Sequence, residues 1–275
     1  MIAVTGAGGP TATAVLRALA ERGCPTRAVV RTPRAVPEAD EVVAADLRDP
    51  DAWPRVLDGA AALYVVWPNF DPEEPTVVPR LVAAARAAGV PRVVYHSVLR
   101  PQVRAMPHHA AKDRVEEHLD RSGTAWRVLQ PCAYAGNLDG ALRSALAEGV
   151  LRSGWGLERA QSFVDLRDVA DAAAVLLTED GLDGGTFEAV GPEPLTAPES
   201  AARLSALSGR SVEAVDEPPA GPVPPASDWA AHCRRRMLDH YREHGFTGSP
   251  RVLEALLGRP ARRIDEGLAR LVGAR

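Results

Sequence analysis

From its first residue to about residue 130 the chain alternates short apolar runs with amphipathic stretches of helical length. This restricts it to one kind of architecture, an α/β fold with a parallel sheet covered on both faces by helices. The runs at Ile2–Val4, Arg27–Val30, Glu41–Ala44, Ala61–Val66, Arg92–His96 and Ala125–Leu129 predict strands. Helices are expected at about 10–22, 50–57, 74–88 and 108–122, each with apolar residues three or four apart on one face. Connections of this length favour right-handed crossovers and therefore a doubly wound sheet. After residue 130 the rhythm loosens. A helix near 138–148, a turn around Ser153-Gly154-Trp155-Gly156 and a helix from Val169 to Leu177 precede a strand at Thr186–Ala189 that is placed to return to the sheet. The stretch Glu217-Pro218-Pro219-Ala220-Gly221-Pro222-Val223-Pro224-Pro225 reads as a stiff loop, because proline lacks the backbone donor that a ladder or helix interior needs. Helical material follows to the end.

The remaining composition excludes several function classes. With 275 residues, 46% of them hydrophobic, there is core material for one large domain or two small ones. Lysine and arginine total 32 against 36 acids, a formal charge of -4, so no general cationic field exists and nucleic acid is not expected as a partner. Cys24, Cys132 and Cys233 are odd in number and form no Cys-x-x-Cys pair, so neither a disulfide framework nor a metal site is expected, and a reducing cytoplasm fits best. Met1 runs straight into the first strand without a basic leader, and no apolar run reaches the roughly 18 residues that would span a bilayer, so a soluble, unprocessed protein is expected. No feature fixes an oligomeric state.

The first strand leads into Thr5-Gly6-Ala7-Gly8-Gly9-Pro10-Thr11-Ala12 and then an amphipathic helix through Leu16 and Leu19. Glycine stands where a strand must turn sharply into a helix. Gly6 suits the turn, Gly9 lets backbone approach a pyrophosphate, and Ala12 is small enough for close helix-to-strand packing, while the helix N-terminus offers a positive dipole end. Thr5, Gly6, Gly8, Gly9, Pro10 and Thr11 are the expected dinucleotide loop. The second strand ends in Val30-Arg31-Thr32-Pro33-Arg34, with no acid before Glu38. An arginine there, in place of the acid that holds ribose hydroxyls, favours a 2′-phosphate and therefore NADP.

These segments, with Ala45-Asp46-Leu47-Arg48-Asp49-Pro50, Val93-Val94-Tyr95-His96-Ser97, His109 to Glu117, Val128 to Leu138 and Phe163 to Ala170, resemble the NmrA-like branch of the atypical short-chain dehydrogenase/reductases. The likeness extends through nearly the whole chain. It implies a Rossmann-like sheet with a smaller, mostly helical substrate-binding part. Residues 1–150 would mainly hold NADP and 151–275 mainly form the cap, with 163–190 returning to the core. Arg31 matches the 2′-phosphate arginine, Asp46 and Leu47 the pair beside the adenine, and Trp67 the passage by the nicotinamide ribose. Ser97 falls at or next to the superfamily's active-site serine, Lys112 at its lysine, and Tyr134 opens a segment that lines the cleft in relatives. The usual tyrosine four residues before the lysine is absent, and His108 stands there.

Lys112 is the one lysine among 32 cationic side chains, on a helix whose apolar face includes Ala111, Val115 and Leu119. A compact ammonium suits ribose hydroxyls and proton relay better than a guanidinium does. His108, one turn earlier, is a candidate substitute acid, Ser97 a candidate donor to the substrate oxygen, and His96 and Tyr134 candidate substrate contacts. Asp168 reads as an N-cap, and Arg234-Arg235-Arg236 as the polar side of a late helix. The expected activity is NADPH-dependent hydride transfer to a small-molecule ketone or quinone, such as an aromatic secondary metabolite. The alternative is a protein that binds NADP without turnover and reports its redox state.

Overall fold

A computed structural model describes residues 1–273. In chain order it runs β1 (Ile2–Val4), α1 (Pro10–Glu21), β2 (Thr26–Val30), β3 (Glu41–Ala44), α2 (Trp53–Leu57), β4 (Ala62–Val65), α3 (Glu74–Ala87), β5 (Val93–His96), α4 (Pro107–Arg121) and β6 (Trp126–Pro131). There follow β7 (Ala133–Tyr134), α5 (Asp139–Glu148), β8 (Val150–Ser153), β9 (Gln161–Val164), α6 (Leu166–Thr178), β10 (Gly185–Ala189) and β11 (Pro194–Leu195). The chain ends with α7 (Ala197–Ser208), β12 (Glu213–Asp216), α8 (Trp229–His244), α9 (Arg251–Leu257) and α10 (Ile264–Gly273).

The central sheet has seven strands in the order β10-β6-β5-β4-β1-β2-β3, and every pairing from β6 to β3 is parallel. This is the doubly wound order expected from the sequence, with the chain reversing direction across the sheet between β1 and β4. The interior strands β1, β4 and β5 are wholly buried, whereas the edge strand β3 is half-exposed. The burial follows from layering, since only strands covered on both faces can be apolar throughout. α1 lays Ala12, Val15, Leu16 and Leu19 against the sheet, the three- and four-residue spacing visible in the sequence. Residues 50–57 divide into a 3₁₀ turn over Pro50–Ala52 followed by α2.

Two buried arginines show how a strand can carry a cation. Arg127 on β6 is fully buried, donating to Asp183 and to the carbonyls of Leu176 and Glu179. Arg27 on β2 donates to Glu41 and to the carbonyls of Val56 and Asp58. Each guanidinium fork closes a helix C-terminus whose last carbonyls lack intrahelical partners.

The chain forms two compact units. The first contains Met1–Arg104, His108–Gln130 and Val169–Phe187, and the second Ala105–Pro107, Pro131–Asp168 and Glu188–Arg275. In sequence, the main run of the first unit ends at Gln130, and Val169–Phe187 belongs to the same unit. The second unit holds a three-stranded sheet in the order β11-β9-β7 and the pair β12-β8. Its core is built on Leu138, Leu142, Leu146, Leu151, Phe163 and Leu204. The proline-rich stretch from Glu217 contains no helix or strand, and the late helical material is α8 to α10. No helix among the described residues is long and apolar enough to cross a membrane.

Candidate functional site

β1 delivers the glycine turn at the carboxyl edge of the sheet, where ligands bind in open doubly wound folds. Gly6 takes φ 65°, and a Cβ there would stand 3.1 Å from the Val66 carbonyl oxygen, so both conformation and space require glycine. The Gly9 amide donates to the Gly6 carbonyl at 2.9 Å and closes the turn. Gly9 is the extended N-cap of α1 with Pro10 behind it, and no side chain caps the helix. The positive end of α1 is thus presented through backbone alone. The Thr5 side chain is engaged elsewhere, for its hydroxyl donates to the Val66 carbonyl at 2.9 Å and accepts from the Val66 amide at 2.8 Å. It ties β1 to β4 and thereby fixes the turn.

At the end of β2, Arg31 is exposed and makes no hydrogen bond or ion pair among the described residues. Arg34 folds back to donate to the Gly8 carbonyl at 3.3 Å. Glu38, the first acid after the strand, is paired with Arg17 of α1 at 3.1 Å. The strand tip therefore offers an unengaged cation and no free carboxylate. Beyond β3, Asp46 accepts the Arg48 amide at 3.0 Å, and the Leu47 carbonyl accepts the Trp53 indole at 3.0 Å. The Arg48 guanidinium reaches Asp71 and Glu73 and lies 5.6 Å from the Trp67 ring centroid. Trp67 is buried and its indole Nε1 has no hydrogen-bond partner among the described residues.

Lys112 is the centre of a buried polar cluster. Its Nζ donates to Glu74 at 2.7 Å and to the His96 carbonyl at 3.3 Å, and it lies 5.2 Å from the Tyr95 ring centroid. The Tyr95 hydroxyl donates to the same Glu74 oxygen at 2.8 Å, and Tyr64 shares a 2.6 Å hydrogen bond with His96 Nδ1. Lys112 is 4% exposed and Glu74 only 2%. Burial, then the carboxylate of Glu74, holds the Tyr95 hydroxyl well above its ordinary value, so it stays a donor. Glu74 was not anticipated from the sequence, although its helical phase with Val77, Val78 and Leu81 on the buried face of α3 carried the signal. His96, expected as a substrate contact, has its Nδ1 turned to Tyr64, and burial, with the charge of Lys112, pushes it down to about 3.

Ser97 is buried at the end of β5, and its hydroxyl donates to Glu116, one turn after Lys112 on α4. Gln130 donates to both Glu116 oxygens, at 3.0 and 2.9 Å. Burial raises Glu116 above the ordinary carboxylate value against the lowering effect of these donors. His108 lies 4.8 Å from the Phe70 ring and 4.5 Å from His109, its Nδ1 lacks a partner, and burial followed by the charges of His109 and Lys112 pushes it down to about 2. Phe70 holds φ 59° in the loop after β4, a conformation that costs about 1 kcal/mol or more for a bulky residue. Lys112, His96, Ser97 and His108 are thus gathered at the ends of β5 and α4. Tyr134 lies in the second unit, on β7 beside Val164 of β9.

Asp168 corrects another expectation. α6 begins at Leu166, and the carboxylate that accepts an early backbone donor is that of Asp165, bonded to the Arg167 amide at 2.8 Å. Asp168 is fully buried and instead binds Arg259, the Arg262 side chain and the Arg262 amide.

A nicotinamide dinucleotide fits the residues of the first unit. The Gly6 cradle admits backbone and no side chain, no side chain caps the helix end, and, among the described residues, Arg31 is an unengaged cation at the strand tip and the Lys112 ammonium has one of its three N–H groups without a hydrogen-bond partner. No group of His, Cys, Asp and Glu among the described residues is arranged to hold a metal ion.

Residues 1–220 match the NmrA-like family model. The chain is 31% identical over 224 residues to an NAD(P)H azoreductase of Xenophilus azovorans, covering 78% of this chain and 76% of that protein. It is 34% identical over 220 residues to a (4-alkanoyl-5-oxo-2,5-dihydrofuran-3-yl)methyl phosphate reductase of Streptomyces griseus, covering 76% of this chain and 74% of that one. The fold superposes on an NADPH-dependent quinone oxidoreductase of Escherichia coli, solved with NADPH, at a TM-score of 0.85 and 24% identity, covering 98% of this chain and 99% of that one. With four-fifths of its length inside the family model, this chain belongs to the NmrA-like family.

Proposed function

We propose that the protein is an NADPH-dependent reductase whose acceptor is a quinone or another conjugated, electron-poor compound rather than a simple ketone. Bound NADPH supplies a hydride from C4 of its dihydronicotinamide and leaves that ring positively charged. The Gly6–Gly9 backbone and the start of α1 bind the pyrophosphate, and Arg31 binds the 2′-phosphate as a charge-assisted fork. Lys112 directs its remaining N–H to a ribose hydroxyl and so orients the nicotinamide.

The observation that carries the choice of acceptor is the lack of a charged acid around Lys112. Burial first pushes both nearby histidines down, to about 3 and about 2, which favours the neutral imidazole, and the Ser97 hydroxyl is directed at Glu116. A simple ketone becomes a localised alkoxide on receiving hydride and needs a positioned donor, whereas a conjugated acceptor spreads the charge and takes its proton from water afterwards. The azo, quinone and unsaturated-lactone substrates named for the similar reductases are all conjugated acceptors, which supports the same reading. A panel assay of NADPH absorbance tests it. Naphthoquinones and azo dyes are expected to be consumed about a hundredfold faster than an aliphatic ketone of similar size. Binding of NADPH without consumption by any acceptor of the panel would overturn the proposal in favour of a sensor.

A further inference from the structure

Glu74 has no place in the sequence-based account of the site, yet it is more deeply buried than any other carboxylate near Lys112. It sits in the first turn of α3, 2% exposed, and both of its neighbours in the cluster are pinned to its Oε1. Taking an ammonium and a carboxylate out of water is costly, and a pair of this kind often contributes little to stability compared with an apolar replacement. Its placement against the residue expected to touch the cofactor ribose points to a functional constraint.

Two consequences follow from the geometry. Glu74 and the His96 carbonyl take two of the three Lys112 donors, at 2.7 and 3.3 Å, so the direction of the third is fixed. The carboxylate also cancels the ammonium charge locally. The second effect matters for the reading proposed above, on which this inference rests. With NADPH bound, donation of a hydride with its electron pair would take the nicotinamide ring from neutral to cationic, and the acceptor that takes the hydride would draw its proton from solvent. A bare ammonium near that ring would oppose the change, because like charges a few ångströms apart in a partly desolvated site repel by an amount equivalent to tenfold or more in an equilibrium. A neutral lysine–glutamate pair holds the ribose without that opposition.

We propose that Glu74 is a positioning residue that fixes Lys112 and cancels its charge, so that the site accepts the positive nicotinamide formed on hydride transfer. The test compares dissociation constants for NADPH and NADP⁺ by calorimetry, in wild type, Glu74→Gln, Lys112→Met and the double variant. Glu74→Gln keeps the size and hydrogen-bonding reach of the side chain but leaves Lys112 uncompensated. It is expected to weaken NADP⁺ binding about tenfold relative to NADPH and to lower kcat with little change in the acceptor KM. Lys112→Met leaves the carboxylate uncompensated and shifts the ratio the opposite way. The double variant returns the ratio to the wild-type value, and Glu74→Asp restores it in part. Equal losses for both cofactor forms in Glu74→Gln, or a double variant that keeps the single variant's ratio, would overturn the role of Glu74. Failure of the wild type to bind either form would instead overturn the reductase reading itself.

Discussion

Arg31 ends a buried strand with its guanidinium in solvent and no protein partner among the described residues, while Arg34 is bonded to Gly8 and Glu38 to Arg17. On the proposed reading, cofactor choice depends on one side chain. Arg31→Ala is expected to raise the Kd for NADPH about tenfold, the scale of an exposed charge-assisted contact, while leaving NADH almost unchanged. Titration with both dinucleotides measures it, and equal losses for the two would assign Arg31 to the pyrophosphate or to general attraction instead. At this scale the sequence was informative wherever geometry depends on residue type, as at Gly6. It was uninformative wherever a side chain's partner comes from a distant segment. Thr5 belongs to the expected dinucleotide loop, but that its hydroxyl bonds Val66, 61 residues away, is written in no local pattern.

Among the elements, α7 shows the most complete local signal. Thr196 is its N-cap, accepting from the Glu199 amide at 3.3 Å while Glu199 accepts from the Thr196 amide at 2.8 Å, and Pro follows in the first turn. These donors, the Thr196 amide first, hold the Glu199 carboxyl below its ordinary value. Thr196→Ala removes half of this reciprocal pair and should cost about 1 kcal/mol. In a chain of this size that corresponds to a melting temperature lower by roughly 2–4 °C. A fall of that size in thermal unfolding, with NADPH turnover intact, is the expected result. α6 shows the opposite case. Asp168 looked like a cap because it precedes an apolar periodicity, but the helix starts two residues earlier, and a fully buried carboxylate was needed for Arg259 and Arg262.

For the whole molecule, the two neutral histidines predict an acid sensitivity. His96 and His108 have folded-state values of about 3 and about 2, lowered first by burial, against an ordinary 6.5. Below pH 6.5 the unfolded chain takes up these protons and the folded one does not, so their contribution is complete above that pH and is lost on acidification toward the folded values. Each histidine removes up to about 1.4 kcal/mol per pH unit in this window. Urea unfolding of His108→Phe, compared with wild type between pH 7 and pH 5, should give a shallower loss by about one proton. Parallel curves for the two proteins would show that His108 is accessible to protons in the folded state.

What the sequence determined by itself was set by short-range physics. Short continuous apolar runs and period-3.6 apolar patterns specify the covered parallel sheet, a glycine between strand and helix specifies the sharp turn at Gly6, and one lysine among arginines marks α4. Only the tertiary structure decided what those groups touch. The crossover from β4 to α3 brings Glu74 to Lys112 across 38 residues, and the region after α9 brings Arg262 to Asp168 across 94. Such pairings depend on helix phase and on the stacking of elements on the sheet, which no local window contains. The same packing desolvates His96 and His108 and pushes both imidazoles well below their ordinary value.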